Sequence, residues 1–271
     1  MTLAATSAID DAAAEARRAK RRSLRRGLTS FVLLAILWEL AGRYVLTNKL
    51  FFVPLSDVIE AAARLWSTGE LQHHIAVSFT ELAAGIAIAI VIGVPFGIIS
   101  GISRRFRDYS DLLVAALYAT PLVAVAPLLV LWLGIGAASK AAVVFLTAVF
   151  PILINTSAGI IATEAVLIEV AQSFGGSRFQ IIRKVMVPSA LPFMLTGMRL
   201  AIGRGIVGVV VGEILGSQAG LGYLILVAGQ SFDVPNLFVG VVALAIAGIS
   251  LTFLAQFAEQ YATRWRRVVL E

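Results

Sequence analysis

A chain of 271 residues that is 59% hydrophobic and only 14% charged, with a mean hydropathy of +0.91, has too little polar surface for a soluble globular protein and reads as an integral membrane protein. The absence of cysteine excludes a disulfide framework and any thiolate-held metal. The net charge of +6 sits in short clusters between apolar runs, not on one soluble face, which argues against a nucleic-acid partner.

Residues 1–27 are rich in Ala and Arg and read as a basic tail, solvated or lying on the lipid surface. A span needs about 20 mostly apolar residues to cross roughly 30 Å of hydrocarbon. Six segments are read as spans, near 28–47, 80–102, 110–133, 138–162, 190–214 and 235–259. The apolar run after the basic tail is too long for a signal peptide and lacks a small-residue cleavage site, so it is expected to be a retained anchor. After it, Ser56 is placed to cap a short surface helix whose Val58, Ile59, Ala62 and Leu65 share a face.

Orientation follows from the basic residues of the short loops. Arg17 to Arg26, Arg104 to Arg107, Arg178 to Lys184 and Arg264 to Arg267 fall on one set of loops. The opposite set holds only Lys49, Arg64 and Lys140. Both termini and the loop after the fourth span are therefore expected in the cytoplasm.

Gly93, Gly97 and Gly101, and again Gly208, Gly212 and Gly216, recur at four-residue spacing, which lets helix backbones approach closely. The spacing fits packing inside one subunit or across a dimer. Pro95, Pro121, Pro127 and Pro151 fall inside spans and can kink them. Glu39 and Glu213 are the carboxylates taken as intramembrane, both toward span ends. No Walker-type loop is present, since GIGAASKA (134–141) lacks the glycine before Lys140 and the Ser/Thr after it. His73 and His74, read as interfacial in an outer loop, are adjacent and cannot chelate as an i, i+4 pair would, nor is a catalytic triad available. The chain is expected to be a non-catalytic conduit.

Between the fourth and fifth spans lies EVAQSFGGSRFQIIRKVMVPSALP (169–192). Thr163 is a fair cap for a first short helix over 163–174, with Val166, Leu167, Val170, Ala171 and Phe174 as its apolar stripe. Gly175 and Gly176 stop it. Ser177 to Gln180 matches an S-x-x-Q capping box that opens a second helix, which Pro188 and Pro192 are expected to end. The pair fits a helical hairpin lying on the membrane or on its own loops, or a docking element for a soluble partner.

This stretch resembles the EAA signature of permease subunits of binding-protein-dependent ABC importers: E-A-A, three residues, G, nine residues, I-x-L-P. Here it reads Glu169-Val170-Ala171, Gly175 and Val185-Met186-Val187-Pro188, with apolar departures at Val170, Val185 and Val187. The segments 118–160 and GEILGSQAGLGYLI (212–225) are similar to the nitrate/sulfonate/taurine branch, and the likeness runs from about residue 50 onward. The resemblance implies an all-α membrane protein with the six-helix, type I importer permease fold over 28–271. It also implies cytoplasmic coupling helices at about 163–187 that dock on an ATPase through Glu169, Val170, Ala171, Phe174, Gly175, Ser177, Arg178 and Pro188. The implied assembly is a homodimer of this chain in the bacterial inner membrane, with two ATP-binding subunits carrying ATP and Mg2+ and an external substrate-binding protein. This chain itself would bind no cofactor or metal. The implied cargo is a small anionic solute, with sulfonate or taurine favoured and nitrate, a pyrimidine or an aromatic acid as alternatives. Arg204, Arg199, Glu213 and Thr120 are candidate path residues, against structural pairing as the plain alternative; Arg204 and Glu213 stand on roughly opposite faces of one helix, so they could pair across the dimer rather than within the helix. A secondary transporter or channel-type subunit without an ATPase is the rival reading, disfavoured by the lack of an internal repeat.

Overall fold

A computed structural model describes residues 26–27, 29–46 and 48–262. The tail over 1–25 and the basic Arg264, Arg266 and Arg267 lie outside the described residues. The described chain is helical, with no strand among the described residues. Helix α1 covers 29–40 and continues into a π turn at Ala41–Val45. It is followed by α2 (Leu55–Ser67), α3 (Glu70–Ile102), α4 (Arg104–Ala119), α5 (Leu122–Leu133), α6 (Ala137–Ile161), α7 (Ala165–Ser173), α8 (Arg178–Ile181), α9 (Val187–Gly216), α10 (Leu221–Gln230) and α11 (Val234–Ala262).

The centre is α6, which packs chiefly on α3 and α9 and is the most buried of the long helices. Glycine makes these approaches close. A Cβ at Gly97 would lie 2.6 Å from Thr156 Cβ, and one at Gly101 2.5 Å from Ile160 Cβ. Across the other side of α6, Gly208 faces Thr147 and Val144, and Gly212 faces Lys140. Both glycine series are thus spent mainly inside the subunit, with Gly216 at the margin against Val130 of α5. The contacts also fix direction. Gly85 to Gly101 meet Val144 to Ile160 in ascending order, so α3 and α6 run parallel. Gly197 meets Pro151 and Gly212 meets Lys140, so α9 runs antiparallel to them. Helix α11 returns antiparallel to α9, with Glu259 beside Arg199 and Gly248 beside Ile206. The segments around Arg104–Arg107 and 163–187, and the described end at Ala262, consequently share one end of the bundle.

Four helices are long and apolar enough to span a membrane, and a fifth crossing is broken. Helices α4 and α5 are bent by 98° within the span expected over 110–133, at Pro121, one of the prolines expected to kink it. The cause is local. Thr120 turns extended (φ −66°, ψ 131°) before Pro121, as the proline ring demands of its predecessor. Because α3 and α6 run parallel, the 104–133 segment must still carry the chain from one end to the other. The second span also begins ten residues earlier than expected, at Glu70. In α2 the buried residues are Val58, Ala61 and Leu65, while Ile59 points outward. Ser56 is not the cap: Glu39 of α1 instead accepts from Ser56 N–H (3.0 Å) and Oγ (3.1 Å) and pairs with Arg43 at 2.5 Å.

At the opposite end, the first turn of α10 is held by side chains of α3 and α9. Gly220 N–H donates to His74 Nδ1 (2.9 Å), Leu221 N–H to Ser78 Oγ (2.8 Å) and Gly222 N–H to Glu213 Oε2 (2.5 Å). These are three of the donors that a helix start leaves without a partner inside the helix. His74 is therefore a buried structural residue on α3, not an interfacial loop histidine. Glu213 finds its partners inside its own chain, not across a dimer. Gly220 has φ +117°, and any side chain there would run into the Glu213 carboxylate.

Candidate functional site

The first candidate is the exposed hairpin of α7 and α8. Helix α7 begins at Ala165 after Glu164, and Thr163 is buried without a side-chain cap bond. Its end follows the expected glycine logic in full. Gly175 adopts φ +74°, its N–H donates to Gln172 O (2.8 Å), and Gly176 N–H donates to Ala171 O (3.0 Å), the pair of bonds of a Schellman motif. The capping box is present in both directions: Ser177 N–H donates to Gln180 Oε1 (2.8 Å) and Gln180 N–H to Ser177 Oγ (3.4 Å).

Helix α8 does not stop at Pro188. It passes through a π turn at Ile182–Met186 directly into α9, so Arg178–Gly216 forms 39 continuous helical residues. The wider turn, with Val187 N–H bonded to Ile182 O, accommodates a proline that a regular α-turn would exclude.

The apolar side chains divide cleanly. Ile181 is buried, and Met186 and Val187 pack on the Ile160, Ala190 and Met194 cluster. Phe174 and Phe179 project outward at 87% and 70% exposure, with Val166, Leu167 and Val170 also open. Glu169, Ser177, Arg178 and Pro188 are exposed around them, and Ala171 is half-buried.

The second candidate is a pocket of about 430 Å³ among α4, α6, α9 and α11, a volume typical of small-molecule sites. Its polar lining comes from Asn155, Arg199, Arg204, Thr252 and Gln256, with Tyr118 and Pro151. Arg204 has no acidic partner among the described residues; its guanidinium lies over the Tyr118 ring, 4.6 Å from the centroid. Arg199 pairs with Glu259 at 3.4 Å, and Thr196 Oγ1 donates to the same carboxylate. The two arginines meet in one pocket, whereas the other two path candidates do not join them. Glu213 is fully buried near α10, and Thr120 stands at the α4–α5 bend with its hydroxyl on Ala116 O.

Sequence reasoning missed Asn155, Thr252 and Gln256. The signal was present: they are polar groups in otherwise apolar runs, and Thr252 and Gln256 share a helix face at i, i+4. It also left Glu81 at the margin of the second span and counted Lys140 as a loop residue. Both are buried, with Lys140 Nζ 2.5 Å from Glu81 Oε1.

Residues 93–268 match the family model described as binding-protein-dependent transport system inner membrane component. The chain is 33% identical over 247 residues to the putative aliphatic sulfonates transport permease protein SsuC of Bacillus subtilis, covering 91% of this chain and 90% of the relative. It is 31% identical to the taurine transport system permease protein TauC of Escherichia coli, covering 88% of each. It is also 35% identical to the riboflavin transport system permease protein RibX of Chloroflexus aurantiacus, covering 87% and 88%. Among solved structures, an inward-facing form of the MetNI methionine ABC transporter matches with a TM-score of 0.62 at 21% identity, over 72% of this chain and 94% of that one, a likeness of fold. The chain is a multi-pass inner membrane protein and belongs to the family of inner membrane components of binding-protein-dependent transport systems, in the sulfonate/taurine/nitrate branch of ABC importer permeases.

Proposed function

We propose that this permease subunit forms the translocation path of an ATP-driven importer for a small organic anion, a sulfonate in first place. The observation that carries the reading is continuity. The exposed Phe179 and Arg178 and the pocket-lining Arg199 and Arg204 stand on the same 39-residue helix. At 1.5 Å per residue it is about 58 Å long. A push on its exposed end is transmitted to the pocket without an intervening loop.

In this reading two copies of the chain, each with six spans counting α1 and the bent pair, meet two ATP-binding subunits. Those subunits hold ATP and Mg2+ and receive the α7–α8 hairpins through Glu169, Val170, Ala171, Phe174, Gly175, Ser177, Arg178 and Pro188. The basic loops support a cytoplasmic position for the hairpins and both termini. An external binding protein delivers the solute at the α2 and α10 end. ATP binding favours one arrangement of the spans and hydrolysis releases it, so the driving force is the difference in ATP affinity between the two states. Arg204, lacking an acidic partner among the described residues, supplies the positive charge along the path.

The test is uptake by the reconstituted transporter carrying Arg204→Ala, with assembly checked by co-purification. Loss of uptake with intact assembly is expected. Undiminished uptake with intact assembly overturns the path assignment.

A further inference from the structure

Three ionisable side chains from three helices meet beneath α10, and neither the hairpin nor the pocket uses them. Glu81 of α3, Lys140 of α6 and Glu213 of α9 are 4%, 6% and 0% exposed. Lys140 Nζ lies 2.5 Å from Glu81 Oε1 and donates to Ser217 Oγ at 2.9 Å. Glu213 accepts from Ser78 Oγ at 2.5 Å and from Gly222 N–H at 2.5 Å. Ser78 Oγ in turn accepts from Leu221 N–H, so its hydroxyl proton is free to go to Glu213.

The surrounding titratable groups add no second cation. His74 accepts a hydrogen bond at Nδ1, which an imidazolium cannot do, so its ring is neutral. Its Nε2 faces Glu70 at 3.8 Å, and Tyr223 of α10 lies beside its ring. Among the described residues, Lys140 is the one cation facing the two carboxylates.

Two anomalies follow. With both carboxylates ionised, the cluster would hold one uncompensated negative charge in a site closed to water, and a buried charge without a partner is strongly unfavourable. Independently, Glu81 Oε2 is buried with no hydrogen-bond partner, and the Glu213 carboxyl is near enough to act on the Glu81 carboxyl. One event removes both. We propose that Glu81, Lys140 and Glu213 form a proton-binding site in which a single proton, carried on Glu81 Oε2 and donated to the Glu213 carboxylate, neutralises the cluster.

The proton is placed on Glu81 because its Oε2 has no hydrogen-bond partner, whereas both Glu213 oxygens already accept, Oε1 from the Ser78 hydroxyl and Oε2 from the Gly222 N–H. The ionised Glu213 then sits at the first turn of α10, where the helix dipole favours negative charge. Loss of the proton would set two anions against each other beneath α10 and loosen its docking. Proton occupancy and α10 placement are thus linked.

Infrared difference spectroscopy on the purified full-length chain at neutral pH tests this, since exposed carboxyl groups are ionised there. The wild type is expected to show the carbonyl stretch of one protonated carboxylic acid that exchanges slowly in deuterated water. The band is expected to vanish in Glu81→Gln. It also vanishes in Glu213→Gln, because Glu81 then ionises against Lys140. Absence of the band in the wild type, or its persistence in both variants, overturns the proposal. A second measurement separates the proposal from a plain Glu81–Lys140 ion pair. Glu81→Gln mimics the protonated acid and should melt within about 2 °C of the wild type, whereas Lys140→Met should lose at least about 6 °C. Equal losses in the two variants would also overturn it.

Discussion

Phe174 is the most informative residue to change. It closes the Schellman turn of α7 yet leaves 87% of its surface open, so truncation removes almost nothing from the subunit's own packing. If the ring is buried on docking, the gain follows from its free area. Complete burial of such a side chain contributes about 1.5–3 kcal/mol. Scaled by the exposed fraction, this leaves about 1.3–2.6 kcal/mol for the complex, or roughly an 8- to 70-fold weaker association at about 1.4 kcal/mol per decade. Phe174→Ala should therefore leave the melting temperature of the isolated chain unchanged and weaken capture of the co-expressed ATP-binding subunit by that factor. A titration of the labelled ATPase onto nanodisc-embedded permease reads it directly. An unchanged affinity would refute the assignment of this ring to the interface. A lowered melting temperature of the isolated chain would show that Phe174 supports the fold.

Other expectations follow from single contacts. Gly97→Val drives its branches into Thr156 and Leu153 O and should cost about 1–3 kcal/mol, visible as earlier melting in detergent. Gly220→Ala places a Cβ at φ +117° against the Glu213 carboxylate, and should cost at least about 1–3 kcal/mol and raise hydrogen exchange across 217–230. Gly175→Ala strains the left-handed turn by about 1–2 kcal/mol, and should lower ATPase capture more than it lowers melting, because the residue has open space around it. Arg204→Lys keeps the charge but loses the planar stack on Tyr118; uptake should fall less than in Arg204→Ala.

The caps and stops of the hairpin were legible because they are local. A Ser-x-x-Gln box and a glycine pair satisfy backbone groups within a few residues of themselves, so the sequence contains both partners. The Thr163 cap failed for the same reason in reverse: a buried hydroxyl is placed by what packs over it, which local spacing does not record. The π turn at Ile182–Met186 was hidden because a proline reads as a helix stop unless the preceding turn widens. Glu81 and Lys140 were misassigned on hydropathy. Each looked like the edge of a span, and only the parallel packing of α3 and α6 brings one against the other.

The glycine stripes make the same point about distance. Four-residue spacing states that two backbones approach closely, not which two. The identity of the opposing surface lies in the second helix, and here α6 supplies it on both sides: Ile152, Thr156 and Ile160 toward α3, and Lys140, Val144 and Thr147 toward α9. With α6 gripped from both flanks, the three helices lack the slack for large relative sliding, since any shift of one residue would drive an α6 side chain out of its glycine notch and against a bulkier neighbour. Rearrangement within the subunit is therefore expected at the elements outside that grip: the 98° bend at Thr120–Pro121 and the α10 segment held by His74, Ser78 and Glu213. Tyr118, two residues from the bend, is also the ring beneath Arg204. A change in the bend would alter the seat of Arg204 even if α9 stayed fixed on α6. A disulfide joining cysteines placed at Tyr118 on α4 and Phe150 on α6, whose rings lie 6.0 Å apart, would test it, with the reduced double variant as the reference. If transport continues with that cross-link formed, the bend is not the moving part.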